Sequence, residues 1–284
     1  MNLSRIISGT MNWGVWGVNH SKKDMCKLIS ESFDSGINSF DHADIYGGYT
    51  TEKSFGDAFV DTGIKREDVF FISKCGIMYP SEKLPIKTKH YDYSEDHIIK
   101  SVNNSLEYLQ TDYLDCLLLH RPSPLMDINI IANTVKGLIK SGKIKSFGVS
   151  NFTADQMDMF KGKVEILYNQ INLSLTHLDH MFDGTLEYMQ ANKILPMAYS
   201  PLGSYFKEGS NKIKKVVESL KDKYSCTDYQ LLISWLLKHP SKVYPVIGTT
   251  KSDRIKKSMK SLKIEIELID WFELLEASVG KRVP

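Results

Sequence analysis

The sequence predicts an α/β protein, a single-domain (β/α)8 TIM barrel. Eight short apolar runs alternate with helix-like segments along the 284 residues of the chain. The runs are almost continuously apolar, as expected for strands that are covered on both faces. No proline- or serine-rich linker, low-complexity segment or further repeat divides the chain. Eight β/α units in roughly 250 residues are typical of such a barrel.

The predicted strands lie between helical segments throughout the chain. In order, they are 5–10, 37–41, 69–74, 115–120, 144–149, 165–170, 194–199 and 243–247. The competing architecture is a doubly wound sheet, which usually has fewer strands and carries G-x-G-x-x-G after the first one in its dinucleotide-binding form. That motif does not occur in the sequence. We therefore expect residues 1–284 to form one barrel domain.

Helical periodicity and capping residues predict the helices. Ser21 can cap a helix over 21–36, which Gly36 ends, and Thr153 with Gln156 has the spacing of a capping box. The other predicted helices are 94–110, 127–142, one near 180–192, 210–223, 227–239 and a last short one starting near Ser252.

Composition and charge exclude several classes of function. The formal net charge is only +2, from 36 basic and 34 acidic residues, so neither nucleic acid nor a membrane surface is expected as the main partner. The four cysteines are far apart and form no C-x-x-C motif, which argues against zinc and disulfides. No segment has the length of a signal-peptide core or a membrane span. We expect a soluble cytoplasmic protein, either monomeric or weakly oligomeric.

Polar side chains stand where the predicted strands end. They are Asp41 with Tyr46 just beyond it, Lys74, His120, Ser150, Asn151, Asn169, Gln170, Tyr199, Ser200, Gly248, Thr249 and Thr250. In a barrel of this kind the chemistry takes place at the carboxyl ends of the strands. These residues are therefore predicted to share one site.

Four of these residues indicate proton transfer to an oxygen. A tyrosine such as Tyr46 has an ordinary pKa of about 10 and needs a nearby cation to act as an acid at neutral pH. Lys74 can supply that cation, Asp41 can orient Lys74, and His120 can bind the substrate oxygen. The alternatives are a structural Asp41–Lys74 ion pair at the barrel rim and a near-core His120.

Eight segments in order along nearly the whole chain carry a family resemblance. They are GTMNWG (9–14), FDHADIYGG (40–48), FFISKCG (70–76), DCLLLHRP (115–122), FGVSNF (147–152), YNQINLS (168–174), MAYSPLG (197–203) and PVIGTTKSDR (245–254). In these segments and their spacing the sequence resembles the aldo-keto reductase family. The C-terminal WFELLEASVGKRVP resembles a bacterial branch of general oxidoreductases.

The resemblance implies NADPH-dependent reduction of aldehydes or ketones, with a small-molecule carbonyl substrate and no metal. Asp41, Tyr46, Lys74 and His120 match the family's catalytic tetrad, with Tyr46 as the general acid. Other positions match the cofactor site: Ser150, Asn151 and Gln170 for the nicotinamide carboxamide, Tyr199 for stacking on the ring, Ser200, Leu202 and Gly203 near the pyrophosphate, and Gly248, Thr249, Thr250 and Arg254 around the adenosine phosphate.

Positive charge after the last predicted strand favours NADPH over NADH. Barrels often bind phosphate with the loops after strands 7 and 8 and a short helix, and here Lys251, Arg254 and Lys257 add charge. Many family members have a lysine where this chain has Gly248, and an acid where it has Lys257. The alternative is that these charges form a solvated helix face.

Two other functions remain open from the sequence. One is a redox-sensing, NADPH-binding regulatory subunit with little turnover, and the other is a lyase or isomerase that forms a Schiff base on Lys74. The segment 76–93 has no clear periodicity and is predicted to form a substrate wall, with Met78, Tyr79 and Tyr91 as candidate lining residues. Cys75 is expected to lie on the opposite side of its strand from Lys74 and to be inert.

Overall fold

The computed structural model describes residues 3–207 and 209–283 and confirms the predicted barrel. Its strands are β1 Ile7–Gly9, β2 Ser39–Asp41, β3 Phe70–Cys75, β4 Ile77–Met78, β5 His90–Tyr91, β6 Cys116–Leu119, β7 Phe147–Ser150, β8 Tyr168–Asn172, β9 Leu195–Tyr199 and β10 Tyr244–Ile247. Eight of them are parallel and close a barrel in the order β1, β10, β9, β8, β7, β6, β3, β2. Their bounds differ from the predicted ones by a few residues.

The remaining two strands, β4 and β5, form an antiparallel hairpin within the segment 76–93. We call this segment the rim hairpin. Two-residue strands are too short to show the alternation by which a strand is recognised in a sequence, so the hairpin was not predicted.

Helices connect the barrel strands. They are α1 Lys22–Asp34, α2 Thr51–Asp61, α3 Glu95–Tyr108, α4 Ile128–Lys140, α5 Ala154–Asp158, α6 Asp179–Phe182, α7 Thr185–Ala191, α8 Asn211–Lys223, α9 Asp228–Leu237, α10 Ser252–Lys260 and α11 Leu268–Val279. Ser21 caps α1 by accepting from the Asp24 amide, and the Thr153–Gln156 capping box starts α5.

Three helix predictions need correction. The region 180–192 contains two helices rather than one, because Gly184 adopts a φ of +84° between α6 and α7. The helix at Ser252 is followed by α11, which packs on α9 through stacked Trp235 and Trp271 rings with centroids 4.9 Å apart. Each indole N–H of this pair donates to the other residue's carbonyl. Helix α2 was not predicted at all.

Side chains fill the lower barrel interior, so the barrel is not a pore. This interior cluster consists of Ile7, Phe70, Ile72, Cys116, Leu118, Tyr168, Met197 and Val246. Strand alternation from Phe70 and Ile72 places Lys74 on the same inner face, above this layer. Cys75 instead packs into the core between strands and helices, as predicted. The space for ligands therefore lies at the carboxyl ends of the strands.

No helix in the described residues is long and apolar enough to cross a membrane.

Candidate active site

The site centres on the ammonium group of Lys74, which is fully buried. Its Nζ donates to Asp41 Oδ1 at 2.8 Å, to the His42 carbonyl at 2.7 Å and to Tyr46 Oη at 3.1 Å. A lysine ammonium has three donors, so each one has an acceptor. The structure thus brings Asp41, Tyr46 and Lys74 together, as the sequence predicted.

A tight turn after β2 positions Tyr46. Gly47 and Gly48 adopt φ values of +61° and +63°, and the amides of Thr50 and Thr51 both bond to the Tyr46 carbonyl. A Cβ on Gly47 would lie 2.5 Å from Thr51 Oγ1. The two glycines of the FDHADIYGG segment therefore allow the backbone to fold back and direct Tyr46 toward Lys74.

Burial and neighbouring charges have opposite effects on the pKa values of Lys74 and Tyr46. Burial works to lower the pKa of Lys74, but Asp41 and Tyr46 together raise it above its ordinary value. Burial raises the pKa of Tyr46, whereas Lys74 and, more weakly, Arg121 act to lower it. Lys74 thus has the stabilising effect on the phenolate that the sequence predicted, but the net pKa of Tyr46 is raised because the hydroxyl is desolvated.

His120 lies beside Tyr46, with ring centroids 6.0 Å apart. Burial, followed by the charges of Lys74, Arg121 and Lys89, holds the pKa of His120 well below its usual range. Burial and these positive charges therefore favour the neutral imidazole. A neutral imidazole carries one N–H, and here it can donate to a substrate oxygen.

A second hydrogen-bonded group occupies the ends of β7, β8 and β9. Tyr199 Oη donates to Asn151 Oδ1 at 2.9 Å, and Asn151 Nδ2 donates to Ser150 Oγ at 2.7 Å. Ser150 Oγ then donates to the Gln170 carbonyl at 2.9 Å. Asn151 has a φ of +61°, an uncommon backbone conformation that is often associated with functional sites. The residues predicted for the nicotinamide carboxamide thus lie together.

Asn169 does not belong to this group. It is fully buried, and its Nδ2 donates to the Phe152 carbonyl at 2.9 Å on the other side of β8. Of the two predicted amides, Asn169 and Gln170, only that of Gln170 lines the larger cavity.

A cavity of about 420 Å³ lies over these residues. The sequence-predicted residues that line it are Asp41, Tyr46, His120, Ser150, Gln170, Tyr199, Ser200 and Gly248. Three of the four tetrad candidates and two of the three carboxamide-binding candidates therefore face the same space, whereas Lys74 and Asn151 lie behind its lining.

A neighbouring cavity of about 250 Å³ shares Ser200 and Gly248 with the first. It is also lined by Leu202, Gly203, Thr249 and Arg254, whereas Thr250 lines neither of the two cavities. Gly203 has a φ of +52°, and a Cβ there would lie 2.0 Å from Thr176 Oγ1. Together the two adjoining cavities form a cleft, with the Gln170 amide in the larger one and the Arg254 guanidinium in the smaller one, and these groups could hold a nicotinamide carboxamide and a phosphate.

The far end of this cleft contains helix α10, which begins at Ser252 as predicted. In the described part of the chain, no carboxylate lies within ion-pair distance of Lys251, Arg254 or Lys257. The unpaired cations fit a phosphate group at this end.

Several cavity residues were missed or left undecided by sequence reasoning. Trp16, Lys89 and Arg121 line the larger cavity but were not predicted as site residues, whereas Tyr79, a candidate from the segment 76–93, also lines it. Met78 and Tyr91 of the rim hairpin do not line it. Trp13 is buried, and its Nε1 donates to the Thr249 carbonyl at 3.0 Å, which anchors the loop of the smaller cavity.

The geometry disfavours a Schiff base on Lys74. Such chemistry needs an accessible, unprotonated amine, and this ammonium is inaccessible, has three acceptors and has a raised pKa. The arrangement instead suits a lysine that supports the neighbouring tyrosine.

Comparison with known proteins identifies the family and agrees with the fold. Residues 5–276 match the Aldo/keto reductase family. An uncharacterised oxidoreductase of Bacillus subtilis, YcsN, is 39% identical over 293 aligned positions that cover 100% of this chain and 97% of that protein. A 6-dehydroglucose reductase of Agrobacterium fabrum is 34% identical, with 100% of this chain and 97% of that protein covered.

A solved structure shows the same architecture. A thermostable aldo-keto reductase in complex with the inhibitor epalrestat superposes with a TM-score of 0.83 and 26% identity, over 97% of this chain and 95% of that one. The fold and site define an NAD(P)H-dependent oxidoreductase built on a barrel. The chain belongs to the Aldo/keto reductase family.

Proposed function

We propose that the protein reduces aldehydes or ketones to alcohols with NADPH, and that Tyr46 donates the proton. The observation that carries this proposal is the contact between Tyr46 Oη and the buried Lys74 Nζ, at 3.1 Å, beside the larger cavity, which shares Ser200 and Gly248 with the smaller cavity lined by Arg254. The proposed acid Tyr46, the cation Lys74 that supports it and the space proposed for the cofactor thus lie next to one another. The whole chain, 1–284, is proposed to act as one reductase unit.

The proposed roles follow from the hydrogen bonds. A bound nicotinamide supplies the hydride to the carbonyl carbon. The Tyr46 hydroxyl gives its proton to the carbonyl oxygen, and the Lys74 ammonium stabilises the phenolate that remains. Asp41, at 2.8 Å from Lys74 Nζ, keeps that lysine charged and oriented. The neutral His120 donates a hydrogen bond to the same oxygen as negative charge develops on it.

The residues proposed to hold the cofactor divide between the two cavities. Ser150, Asn151, Gln170 and Tyr199 would hold the nicotinamide, and Ser200, Leu202 and Gly203 would border the pyrophosphate. Gly248, Thr249 and Thr250 would border the adenosine phosphate. The unpaired Arg254, with Lys251, favours a 2′-phosphate and hence NADPH.

The substrate is proposed to be a small carbonyl compound, since the larger cavity is about 420 Å³. The similarity to the Agrobacterium 6-dehydroglucose reductase supports including a sugar aldehyde among the compounds tested. The free cysteines Cys26, Cys75, Cys116 and Cys226 are compatible with the proposed cytoplasmic location.

The decisive experiment combines cofactor titration with turnover. Purified protein is titrated with NADPH and separately with NADH while tryptophan emission is followed. NADPH oxidation is then measured with a panel of aldehydes, ketones and a 6-aldehydo sugar. We expect tighter binding of NADPH and turnover of several compounds. Absence of binding to either nucleotide would reject the reductase. Tight binding without any turnover would instead support a redox-sensing regulatory subunit.

A further inference from the structure

Two cations that the proposed chemistry does not use face the larger cavity. Arg121 directly follows His120 at the end of β6, and Lys89 precedes β5 in the rim hairpin. Both line the cavity that contains Tyr46 and His120. Neither was predicted as a site residue.

The guanidinium of Arg121 lacks an anionic partner. Its two terminal nitrogens each lie 3.4 Å from Tyr199 Oη, and its Cζ lies 5.7 Å from the centroid of that ring. In residues 3–207 and 209–283, no carboxylate lies within 4.0 Å of the charged groups of Arg121 or Lys89. A neutral phenol is a weaker partner than a carboxylate or phosphate, which an arginine binds through two parallel hydrogen bonds.

The charges of the cavity do not balance. Asp41 is the one acidic residue among those that line it, and its carboxylate is already paired with Lys74. Lys89 and Arg121 thus add positive charge without compensation. Their influence reaches the catalytic candidates, because both act to lower the pKa of His120 and Arg121 also acts on that of Tyr46.

The phosphates of the cofactor do not account for these cations. The smaller cavity with Arg254 lies at the ends of β9 and β10. Strand β6, which carries Arg121, stands diametrically opposite β10 in the order of the barrel. Trp16 and Tyr79, with ring centroids 5.1 Å apart, line the same cavity as the two cations and provide an apolar surface there. Arg121 and Lys89 therefore belong to the substrate end of the cleft.

We propose that the preferred substrates carry, besides the carbonyl, a carboxylate or phosphate group that binds Arg121 and Lys89. This inference rests on the proposed reductase function and names the substrate class of the same site. Arg121 binds the anion directly, and Lys89 adds a second positive charge from the rim hairpin. The carbonyl oxygen then lies toward Tyr46 and His120.

The test uses two pairs of aldehydes that differ in charge. The pairs are 4-carboxybenzaldehyde with its methyl ester, and glyceraldehyde 3-phosphate with glyceraldehyde. For each pair, the ratio of kcat/KM for the anionic to the neutral member is measured with NADPH. The comparison covers the wild type, Arg121→Gln, Arg121→Lys and Lys89→Gln. Lys136→Gln, which removes an exposed lysine of α4, is the control for loss of one charge. Comparing the ratio between variants cancels the intrinsic reactivity of each aldehyde.

We expect Arg121→Gln to lower the ratio by roughly ten- to hundred-fold for at least one pair, as for loss of a charge-assisted hydrogen bond. Lys89→Gln should lower it less, Arg121→Lys should lie between wild type and Arg121→Gln, and Lys136→Gln should not change it. Added salt should reduce the wild-type ratio. The pair with the larger loss distinguishes carboxylate from phosphate.

Two negative outcomes are distinguishable. Turnover of the neutral aldehydes, with the same ratio in the wild type and Arg121→Gln, overturns the inference and leaves the reductase function intact. No NADPH oxidation with any of the four compounds in the wild type rejects the reductase function, and the inference falls with it.

Discussion

Gln170 donates a hydrogen bond across the barrel to Asp41, with Nε2 and Oδ1 2.8 Å apart. Strands β8 and β2, which carry these residues, stand on opposite sides of the barrel. The same Asp41 oxygen accepts from Lys74 Nζ. A residue proposed to bind the cofactor is therefore in direct contact with the pair that supports Tyr46.

Gln170→Glu should disturb that pair. A second carboxylate beside buried Asp41 raises the pKa of one of the two acids, because two like charges that close cannot both ionise. We expect kcat to fall at least about tenfold and its pH profile to gain an ionisation absent from the wild type. Gln170→Leu, which removes the hydrogen bond without adding charge, is the control. A profile shared by both variants would contradict the electrostatic explanation.

Tyr46→Phe should abolish most turnover but retain cofactor binding. Loss of a general acid typically costs about 10²- to 10⁴-fold in rate, and the ring that contributes to the cavity wall remains. The measurements are kcat and the Kd for NADPH. Tyr49→Phe is the matched control, because Tyr49 belongs to the same turn but its hydroxyl accepts from the Tyr79 amide at 2.8 Å. Equal losses in both variants would argue against an acid role for Tyr46.

Lys74→Met should destabilise the fold as well as inactivate the enzyme. Asp41, with only 3% of its surface exposed, would remain buried without its cation. Removing one member of a buried pair typically costs about 3–5 kcal/mol. The free energy of unfolding from urea titration checks this. The double variant Asp41→Asn with Lys74→Met should recover part of the loss, since no unpaired charge remains. Asp41→Asn is measured alone as well. If the double variant loses as much free energy of unfolding as the two single variants together, Asp41 and Lys74 are not coupled.

Glu52 should make stability depend on pH. This α2 carboxyl accepts from Ser73 Oγ at 2.5 Å and Ser105 Oγ at 3.0 Å, and burial raises its pKa from 4.5 to about 7. The folded state binds the Glu52 proton more tightly than the unfolded state does. The contribution of this group to the free energy of unfolding is therefore fully present below pH 4.5 and is lost as pH rises through about 7. The loss is on the order of 3 kcal/mol.

Glu52→Gln should therefore remove part of the decline in unfolding free energy between pH 5 and pH 8.5. The neighbouring Asp44, whose pKa burial raises to about 8, acts in the same direction, whereas the buried His42 and His120, whose pKa values are lowered, act in the opposite direction. Exposed Glu107 of α3 provides the control, since Glu107→Gln should leave the decline unchanged. A Glu52→Gln protein with the same pH dependence as the wild type would show that Glu52 is already ionised in the fold.

Arg254→Gln should weaken NADPH binding and leave NADH binding nearly unchanged. Loss of one charge-assisted contact to a 2′-phosphate corresponds to about tenfold or more in Kd, and NADH lacks that phosphate. Lys256→Gln is the control, since Lys256 lies 3.7 Å from Glu31 instead of lining the cleft. Equal weakening for both nucleotides would place Arg254 at the pyrophosphate.

The barrel and much of the candidate site could be predicted from sequence for physical reasons. Buried parallel strands need apolar side chains on both faces, so runs such as that before His120 are visible without a structure. The cluster around Lys74 could be anticipated because Asp41 and Lys74 end adjacent strands, and parallel strands present their carboxyl ends at one edge.

The remaining features depend on tertiary contacts that the helical or strand periodicity of a sequence does not reveal. Helix α2 turns Glu52 toward Ser73 of β3 and Gly56 toward the end of α3, where a Cβ on Gly56 would lie 2.0 Å from the Tyr108 carbonyl. Its buried face therefore does not read as an apolar stripe. The direction of the Arg121 side chain depends on Tyr199, 78 positions further along the chain. Lys89 belongs to a hairpin whose strands are too short to be recognised.

The rim hairpin contributes cavity residues but none of the barrel's eight strands. Exchanges at exposed or cavity-lining positions such as Tyr79 and Lys89 can therefore alter the surface that meets the substrate, whereas Ile77, which packs with Tyr46, and Tyr93, which bonds to the Arg121 backbone, connect the segment to the tetrad. Selection for a new substrate and selection for the chemical step can act on separate parts of the gene. In directed evolution, libraries confined to 76–93 should change preference among aldehydes more readily than they abolish turnover.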